Sequence, residues 1–381
     1  MIFKCKNCDG NMVYHVEERK LYCSYCNSMD SERLVKGQTM GKCESCGGEW
    51  TVGEYELASK CPYCSQYVIY DDRVQGEYEP AKILPFKVGK AQAKTLIRKE
   101  YQKKMYAPSS FLAEANLEKM EGYYVPYWLY NYGVNVDFRG TGYRNRVATG
   151  DKYDNVVGAA YRVHRNFDAS FRRVPVDASL NMPNQIMDDL EPFDYTQFQS
   201  FDAKYVSGYL GEIYNFDDTA NEFRALEKMR KEAEGLLNKS LSNFKAMITI
   251  DKKVEVNKRQ TEYMLMPVWK YLYTYRGKEY NCYINGQTGK VIGEAPFSKG
   301  KLVAFSGMAF WLALLGMWSL LGTMRGTFFD LSICLGAICF AAIFTIVFAI
   351  LTTRKKRKKK PVAKTFLGVQ RMNSTTDELI I

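Results

Sequence analysis

The sequence predicts three kinds of structure in series: two small β modules in tandem, an α+β body of two related helix-plus-strand units, and a two-helix transmembrane hairpin. Three observations predict this order. Eight cysteines crowd the first 64 residues as four C-x-x-C pairs, an aromatic stretch recurs 141 residues downstream, and two apolar runs without charge lie near the C-terminus.

The cysteines come first. Cys5, Cys8, Cys23 and Cys26 recur as Cys43, Cys46, Cys61 and Cys64, each displaced by 38, and Gly10 and Gly48 obey the same shift. Each copy reads C-x2-C-x14-C-x2-C, one residue tighter in the middle than the usual zinc-site spacing. Two thiolates on one tight turn grip one side of a metal, and a second turn completes a tetrahedron. Soft four-sulfur ligation of that kind selects zinc. Disulfides conflict with a reducing compartment, and a redox C-x-x-C stands alone on a βαβ unit rather than as four pairs. Two zinc ribbons follow, over 1–34 and 35–72, each with a structural zinc and no open coordination position. A crossed pairing of Cys5 and Cys8 with Cys43 and Cys46 stays open at this point. Within the first copy, 11–16 and 21–22 read as strands about a turn at 17–20. Lys4, Lys6, Arg19 and Lys20 make that copy's surface basic, whereas Glu44, Glu49, Glu54 and Glu56 make the second acidic. That contrast favours protein contact over nucleic acid.

After a polar stretch to Pro80, residues 80–297 read as an α+β body. Lys90 to Tyr106 has helical period, with Ala93, Ile97, Tyr101 and Met105 on one face. Lys90, Lys94, Arg98, Lys99, Lys103 and Lys104 lie on the others, as a solvated face or a surface for phosphates or lipid headgroups. A second helix begins at Thr219, where Thr219 and Glu222 have capping-box spacing, and runs to about Asn243 through Phe223, Leu226, Met229, Ala233, Leu236 and Leu237. Each helix precedes a matching strand. Pro126, Trp128, Tyr130 and Tyr132 reappear as Pro267, Trp269, Tyr271 and Tyr273, aromatics alternating on one face as a core stripe. A hairpin is expected to turn at Asn285-Gly286. No catalytic constellation is visible, so the chain is not expected to be an enzyme. His164, between Arg162 and Arg165, reads as a satisfied structural residue. The G-x-x-x-x-G-K-[ST] loop of nucleoside-triphosphate motors is absent from the sequence.

The apolar runs, Leu302 to Leu321 and Leu331 to Leu351, have 20 and 21 residues and no charge. As helices each is about 30 Å long, the thickness of a bilayer's hydrocarbon core. They predict a transmembrane hairpin over 302–351. No ionisable side chain lies in either run, which argues against an ion or proton pathway. The seven cations Arg354, Lys355, Lys356, Arg357, Lys358, Lys359 and Lys360 follow at once, as a membrane-surface site and a cytoplasmic marker. The stretch 352–381 is then a basic cytosolic tail. With two spans, the N-terminal head and the C-terminus lie on the cytoplasmic side of a multi-pass cell-membrane protein. The net charge is +11, of which Arg354 to Lys360, Lys364 and Arg371, offset by Asp377 and Glu378, supply +7. A head at only +4 does not call for a nucleic-acid partner.

The chain resembles a family of bacterial membrane-anchored proteins with paired transcription-factor-IIB-type zinc ribbons, often mislabelled as primosomal helicases. The matching stretches are the two ribbons, ILPFKV at 83–88, YAPSSF at 106–111, GYYVPYWLY at 122–130, MPVW at 266–269 and NGQTGK at 285–290. The resemblance implies a non-enzymatic adaptor, associated in some relatives with phage-shock-protein-A-like coat proteins and flotillin-like proteins. The expectation is therefore a membrane-anchored zinc-ribbon adaptor or scaffold that recruits cytosolic proteins to the lipid bilayer in envelope-stress maintenance. The alternative is a membrane-tethered nucleic-acid binder using the ribbons and the basic helix.

Overall fold

A computed structural model describes residues 2–35, 41–149, 154–323, 341–343, 345 and 368–380. The first ribbon holds β1 (Ile2–Cys5), β2 (Met12–His15), β3 (Lys20–Cys23) and β4 (Glu32–Val35), with β1 antiparallel to β4 and β2 to β3. The second ribbon contributes β5 (Glu56–Lys60) and β6 (Tyr67–Ile69). The body begins with β7 (Lys82–Ile83), α1 (Lys90–Tyr101) and the single turn α2 (Glu114–Leu117). Then come β8 (Glu121–Thr149), β9 (Asp154–Asp177), α3 (Asn184–Leu190), β10 (Gln199–Ser200) and β11 (Leu210–Glu212). The chain continues through α4 (Glu222–Ser240), β12 (Ala246–Tyr275), β13 (Lys278–Asn285), β14 (Val291–Gly293), α5 (Lys299–Thr323) and β15 (Gly368–Ile380).

Strands β8 and β12, of 29 and 30 residues, are the spine of an eleven-stranded sheet. At about 3.3 Å per residue each runs for roughly 90–100 Å. Their pairing is antiparallel, from Ala246 opposite Tyr143 to Lys270 opposite Glu121. Alternation makes such length tolerable. On β8, Tyr130, Tyr132, Val134, Val136 and Phe138 point to one face and are buried, while Asn135, Asp137 and Arg139 take the other. Helix α4 covers the apolar face through Ala225, Met229, Ala233 and Leu237. On the opposite face, towards the end where β8 begins and β12 finishes, α3 closes a separate core of Val125, Tyr127, Leu129, Met264, Met266 and Val268.

The two helix-plus-strand units exist, but they exchange partners. Their aromatic stripes start beside each other and run apart in opposite directions, Pro126 lying opposite Leu265 and Pro267 opposite Tyr124. Helix α1, which precedes β8, packs with the stripe of β12 (Trp269, Tyr271 and Tyr273), whereas α4, which precedes β12, packs with Tyr130 and Tyr132 of β8. The tryptophans repeat one contact. Trp128 Nε1 donates to the Phe216 carbonyl at 2.8 Å and Trp269 Nε1 to the Val88 carbonyl at 2.7 Å, each a few residues before a helix. A buried indole N–H needs such an acceptor.

Local details differ from the sequence expectation for identifiable reasons. The Thr219–Glu222 capping box does not form. Asp217 accepts from Ala220 N at 2.7 Å and Thr219 Oγ1 at 2.8 Å, so the carboxylate holds the turn into α4. The turn after β13 is a five-residue loop rather than a two-residue turn. Asn285 is fully buried, its Oδ1 accepting from Gln287 N and Thr288 N and its Nδ2 donating to the carbonyls of Leu190 and Pro192. Met105 lies beyond α1 and is exposed, as is Phe223 on α4. Half of the basic helix is neutralised by α2: Lys94 meets Glu114 at 2.7 Å and also Glu118, Arg98 meets Glu114, and Lys90 lies 3.6 Å from Glu118.

No helix among the described residues is long and apolar enough to cross a membrane, and the transmembrane hairpin expected over 302–351 is not found among them. Its first run lies on α5, whose side chains are described as far as Leu315. Its second run, apart from 341–343 and 345, lies outside the described residues, as do Arg354 to Lys360. Of the stretch expected as a basic tail, Gly368–Ile380 returns to the body as β15. It pairs antiparallel with β9 from Gly368 opposite Phe171 to Ile380 opposite Ala160. Asp377 there meets buried Arg165 at 2.7 Å.

Candidate metal centres and their surface

Each C-x-x-C pair is a knuckle, and the four knuckles share one backbone plan. The first cysteine's carbonyl accepts from the residue four positions on: Asp9, Asn27, Gly47 and Ser65. Those four residues all have positive φ, between 58° and 73°. The first cysteine's N–H donates in turn to the carbonyl five positions on: Gly10, Ser28, Gly48 and Gln66. The turn folds the chain back so that both sulfurs face the same point. Gly10 and Gly48 are explained by close approach. A Cβ on Gly10 would lie 3.2 Å from the sulfurs of Cys8 and Cys23, and one on Gly48 would lie 2.5 Å from the Tyr63 ring.

The knuckles pair in tandem, which decides against the crossed arrangement. Cys5, Cys8, Cys23 and Cys26 form one group and Cys43, Cys46, Cys61 and Cys64 the other, all sulfurs of a group lying within 4.8 Å of one another. In the first, Cys5 and Cys26 sulfurs are 3.6 Å apart and Cys8 and Cys23 sulfurs 3.5 Å; in the second, the corresponding separations are 3.6 and 3.7 Å. A tetrahedron with zinc–sulfur bonds of about 2.3 Å has edges of about 3.8 Å. The sulfurs are too far apart for disulfides and well spaced for zinc. These are two groups of four cysteines, each able to hold a zinc ion, consistent with two structural zincs.

The surroundings favour the thiolate at Cys5, Cys26 and Cys61 and oppose it at Cys8, Cys43 and Cys64, where neighbouring sulfurs or burial push the thiol up. The Cys5 thiol is lowered to about 6, first by the Ser31 hydroxyl and then, against the cost of burial, by the N–H groups of Asn7 and Cys8. Burial opposes ionisation of Cys61, yet the N–H groups of Cys64 and Tyr63 bring it down to about 7. In both groups one cysteine of each knuckle is buried and the other exposed, so each metal position has one face on the core and one near water.

The ribbons are not beads on a string. Ile2 packs with Cys43, Cys61, Val68 and Tyr70 of the second ribbon. The first ribbon docks on the body where Tyr14 N donates to the Ser207 carbonyl at 3.0 Å, Ser207 Oγ donates to the Met12 carbonyl at 2.8 Å, and Tyr14 meets Tyr205 edge to face. The second is continuous with the body sheet, since β5 pairs with β11 and β6. Of the charged surface residues, Lys20 is engaged by Asp30 at 3.0 Å and Glu49 by Lys42 at 3.9 Å.

Two residues that the charge reading passed over stand out. Tyr25 and Tyr63, related by the same shift of 38, occupy the third position of the second knuckle in each ribbon and are 87% and 68% exposed. The signal was in the duplication itself. Elsewhere, His164 is held in β9 by Asp137, 2.9 Å from Nε2, as a structural residue would be.

No family model and no solved structure matches the chain. One curated relative does: the uncharacterized protein YdjG of Bacillus subtilis (strain 168) is 30% identical over 319 residues, covering 81% of this chain and 94% of that protein. The chain belongs to the family of YdjG. The shared length is far greater than that of the ribbons, so it takes in much of the long-stranded body.

Proposed function

We propose that this chain is a membrane-anchored zinc-ribbon adaptor, without enzymatic activity, that holds cytosolic proteins at the bilayer. The observation that carries the reading is the path of the chain around its apolar segment. Helix α5 leaves the body with Val303, Met308, Trp311, Leu312 and Leu315 all more than half exposed, a surface suited to lipid rather than water. The chain then comes back: β15 pairs with β9 over twelve positions. A helix that enters a bilayer from the head must be matched by a second crossing before β15 can pair, and the uncharged run Leu331 to Leu351 supplies the length for it. The cations Arg354 to Lys360 favour the cytoplasm for the returning end, and so for both termini and the ribbons.

The adaptor role rests on the exposed knuckle tyrosines. Aromatic side chains with one polar tip are favoured anchors at protein interfaces, and here two are displayed on rigid metal-held turns. A nucleic-acid role is weakened by the acids of α2, which engage Lys90, Lys94 and Arg98. The resemblance supplies the candidate partners, phage-shock-protein-A-like coat proteins or flotillin-like proteins, and the setting of envelope stress. Cross-linking and pull-down from native membranes tests this reading. A coat or flotillin-like protein should be recovered with the native chain and lost with Tyr25→Ala/Tyr63→Ala. Undiminished recovery by the variant would remove the ribbons from the contact. Tight binding of the full chain to random DNA at physiological salt would favour the tethered nucleic-acid binder instead.

A further inference from the structure

The cations of α1 divide into two groups. Lys90, Lys94 and Arg98 face the acids of α2. Lys99, Lys103 and Lys104 lie at its C-terminal end and beyond, all exposed. The loop 102–107 is fastened to the start of α5. Ser298 N donates to the Tyr106 carbonyl at 2.8 Å, and Lys301 Nζ donates to the Ala107 carbonyl at 2.7 Å. Tyr106 packs against Phe297 at 5.5 Å and Phe305 at 6.1 Å between ring centroids. Lys299 is exposed beside them, and Met105 and Phe297 are each 44% exposed although both are large and apolar. Cations, aromatics and exposed apolar side chains therefore meet where the charged body gives way to an apolar helix.

We propose that this junction, Lys103, Lys104, Met105, Phe297, Lys299 and Lys301, is a seat for anionic lipid headgroups that sets the body directly on the membrane surface. The proposal rests on the membrane-anchored reading and adds to it a lipid class and a contact surface. Three features point to lipid. The surface is continuous with α5, so a bilayer that takes α5 must bring its headgroups to this loop. Lysines here can lay their stems on Met105 and Phe297 while their ammonium groups reach phosphate oxygens. Aromatic and basic side chains at the mouth of an apolar helix are the composition that water–bilayer boundaries favour. Glu100 and Glu294 flank the seat, are exposed, and leave the cations in excess.

The test uses the full chain in nanodiscs of phosphatidylcholine, with and without phosphatidylglycerol, read by amide hydrogen exchange. Exchange over residues 102–107 and 297–301 should be about tenfold slower with phosphatidylglycerol, the equivalent of about 1.4 kcal/mol. Exchange over 140–145, far along the spine, should be unchanged. Lys103→Glu/Lys104→Glu should abolish the phosphatidylglycerol-dependent part and leave exchange in phosphatidylcholine as it was, which separates headgroup binding from a structural role. Equal exchange in both discs, with the chain inserted, overturns the lipid seat and leaves the anchor standing. A chain that enters neither disc overturns the anchor and the seat together.

Discussion

The two ribbons have the same ligands, spacing and knuckles, yet they are different structures. The first closes on itself through β1–β4 and β2–β3 and touches the body at one docking point. Both keep a bridge at the first knuckle, Lys4 opposite Asn11 and Lys42 opposite Glu49, but β5, the counterpart of β3 under the 38-residue shift, pairs with β6 and with β11 of the body instead of closing a hairpin on 50–53. Zinc geometry dictates the knuckles and nothing beyond them. Whether the strands between knuckles pair with each other or with the body depends on which neighbour offers an edge. A metal in the first ribbon therefore secures a module, and a metal in the second secures the end of a sheet.

The largest expected consequence is an unequal response to losing metal. Structural zinc binding is coupled to folding by about 10 kcal/mol or more, so removing buried Cys61 (Cys61→Ser) should free β5 and lower the Tm of the body by about 10 °C or more. Cys23→Ser should unfold the first ribbon and move that transition little. Zinc content by mass spectrometry should fall from two to one in both, and equal shifts in Tm would mean that both ribbons are integral to the body.

A body lesion remote from either metal gives the converse. The Asp177 carboxylate is fully enclosed, with Arg224 2.8 Å away, and burial, partly opposed by Arg224, pushes its titration above the ordinary range. Arg224→Ala leaves that acid unpaired, at a cost of about 3–5 kcal/mol. Denaturant unfolding should show the loss while zinc stoichiometry stays at two.

The docking point should be weaker. Ser207→Ala removes one hydrogen bond to the first ribbon, worth about 1 kcal/mol. Amide exchange at Met12–His15 should quicken with both zincs retained, and no change would place the docking energy in the Tyr14–Tyr205 contact.

The smallest effect lies outside both ribbons. Lys94 and Arg98 hold the Glu114 carboxyl down to about 2. A depressed carboxylate contributes stability above its unfolded value, about 4.5, and loses that contribution as pH falls from there towards 2. Glu114→Gln at neutral pH should quicken exchange of α2 alone. The acid-induced quickening of α2 between those pH values, seen in the native chain, should disappear in the variant.

What could be read along the chain was whatever is settled within a short stretch. The ligand sets belong to this class, because four cysteines within 22 residues can meet only through their own turns. So does the apolar character of α5, and so do the buried stripes, whose period of two shows in Tyr130, Tyr132, Val134 and Val136. Tyr25 and Tyr63 were equally legible once the 38-residue shift was applied to every position. The rest was decided by partners distant in sequence. Nothing near Lys94 announces that Glu114 and Glu118 will face it, nor does the stripe on β12 reveal that α1 rather than α4 will cover it. The polar side chains of residues 371–378 gave no sign of a strand, because an edge strand draws its order from the hydrogen bonds of β9 and the charge of Arg165. Sequence alone determined the metal chemistry and the apolar helix, through local spacing and period. Tertiary structure decided which ribbon is a module and which a sheet end, and where the chain returns, because backbone pairing is available to any strand and is assigned only by the edge it meets.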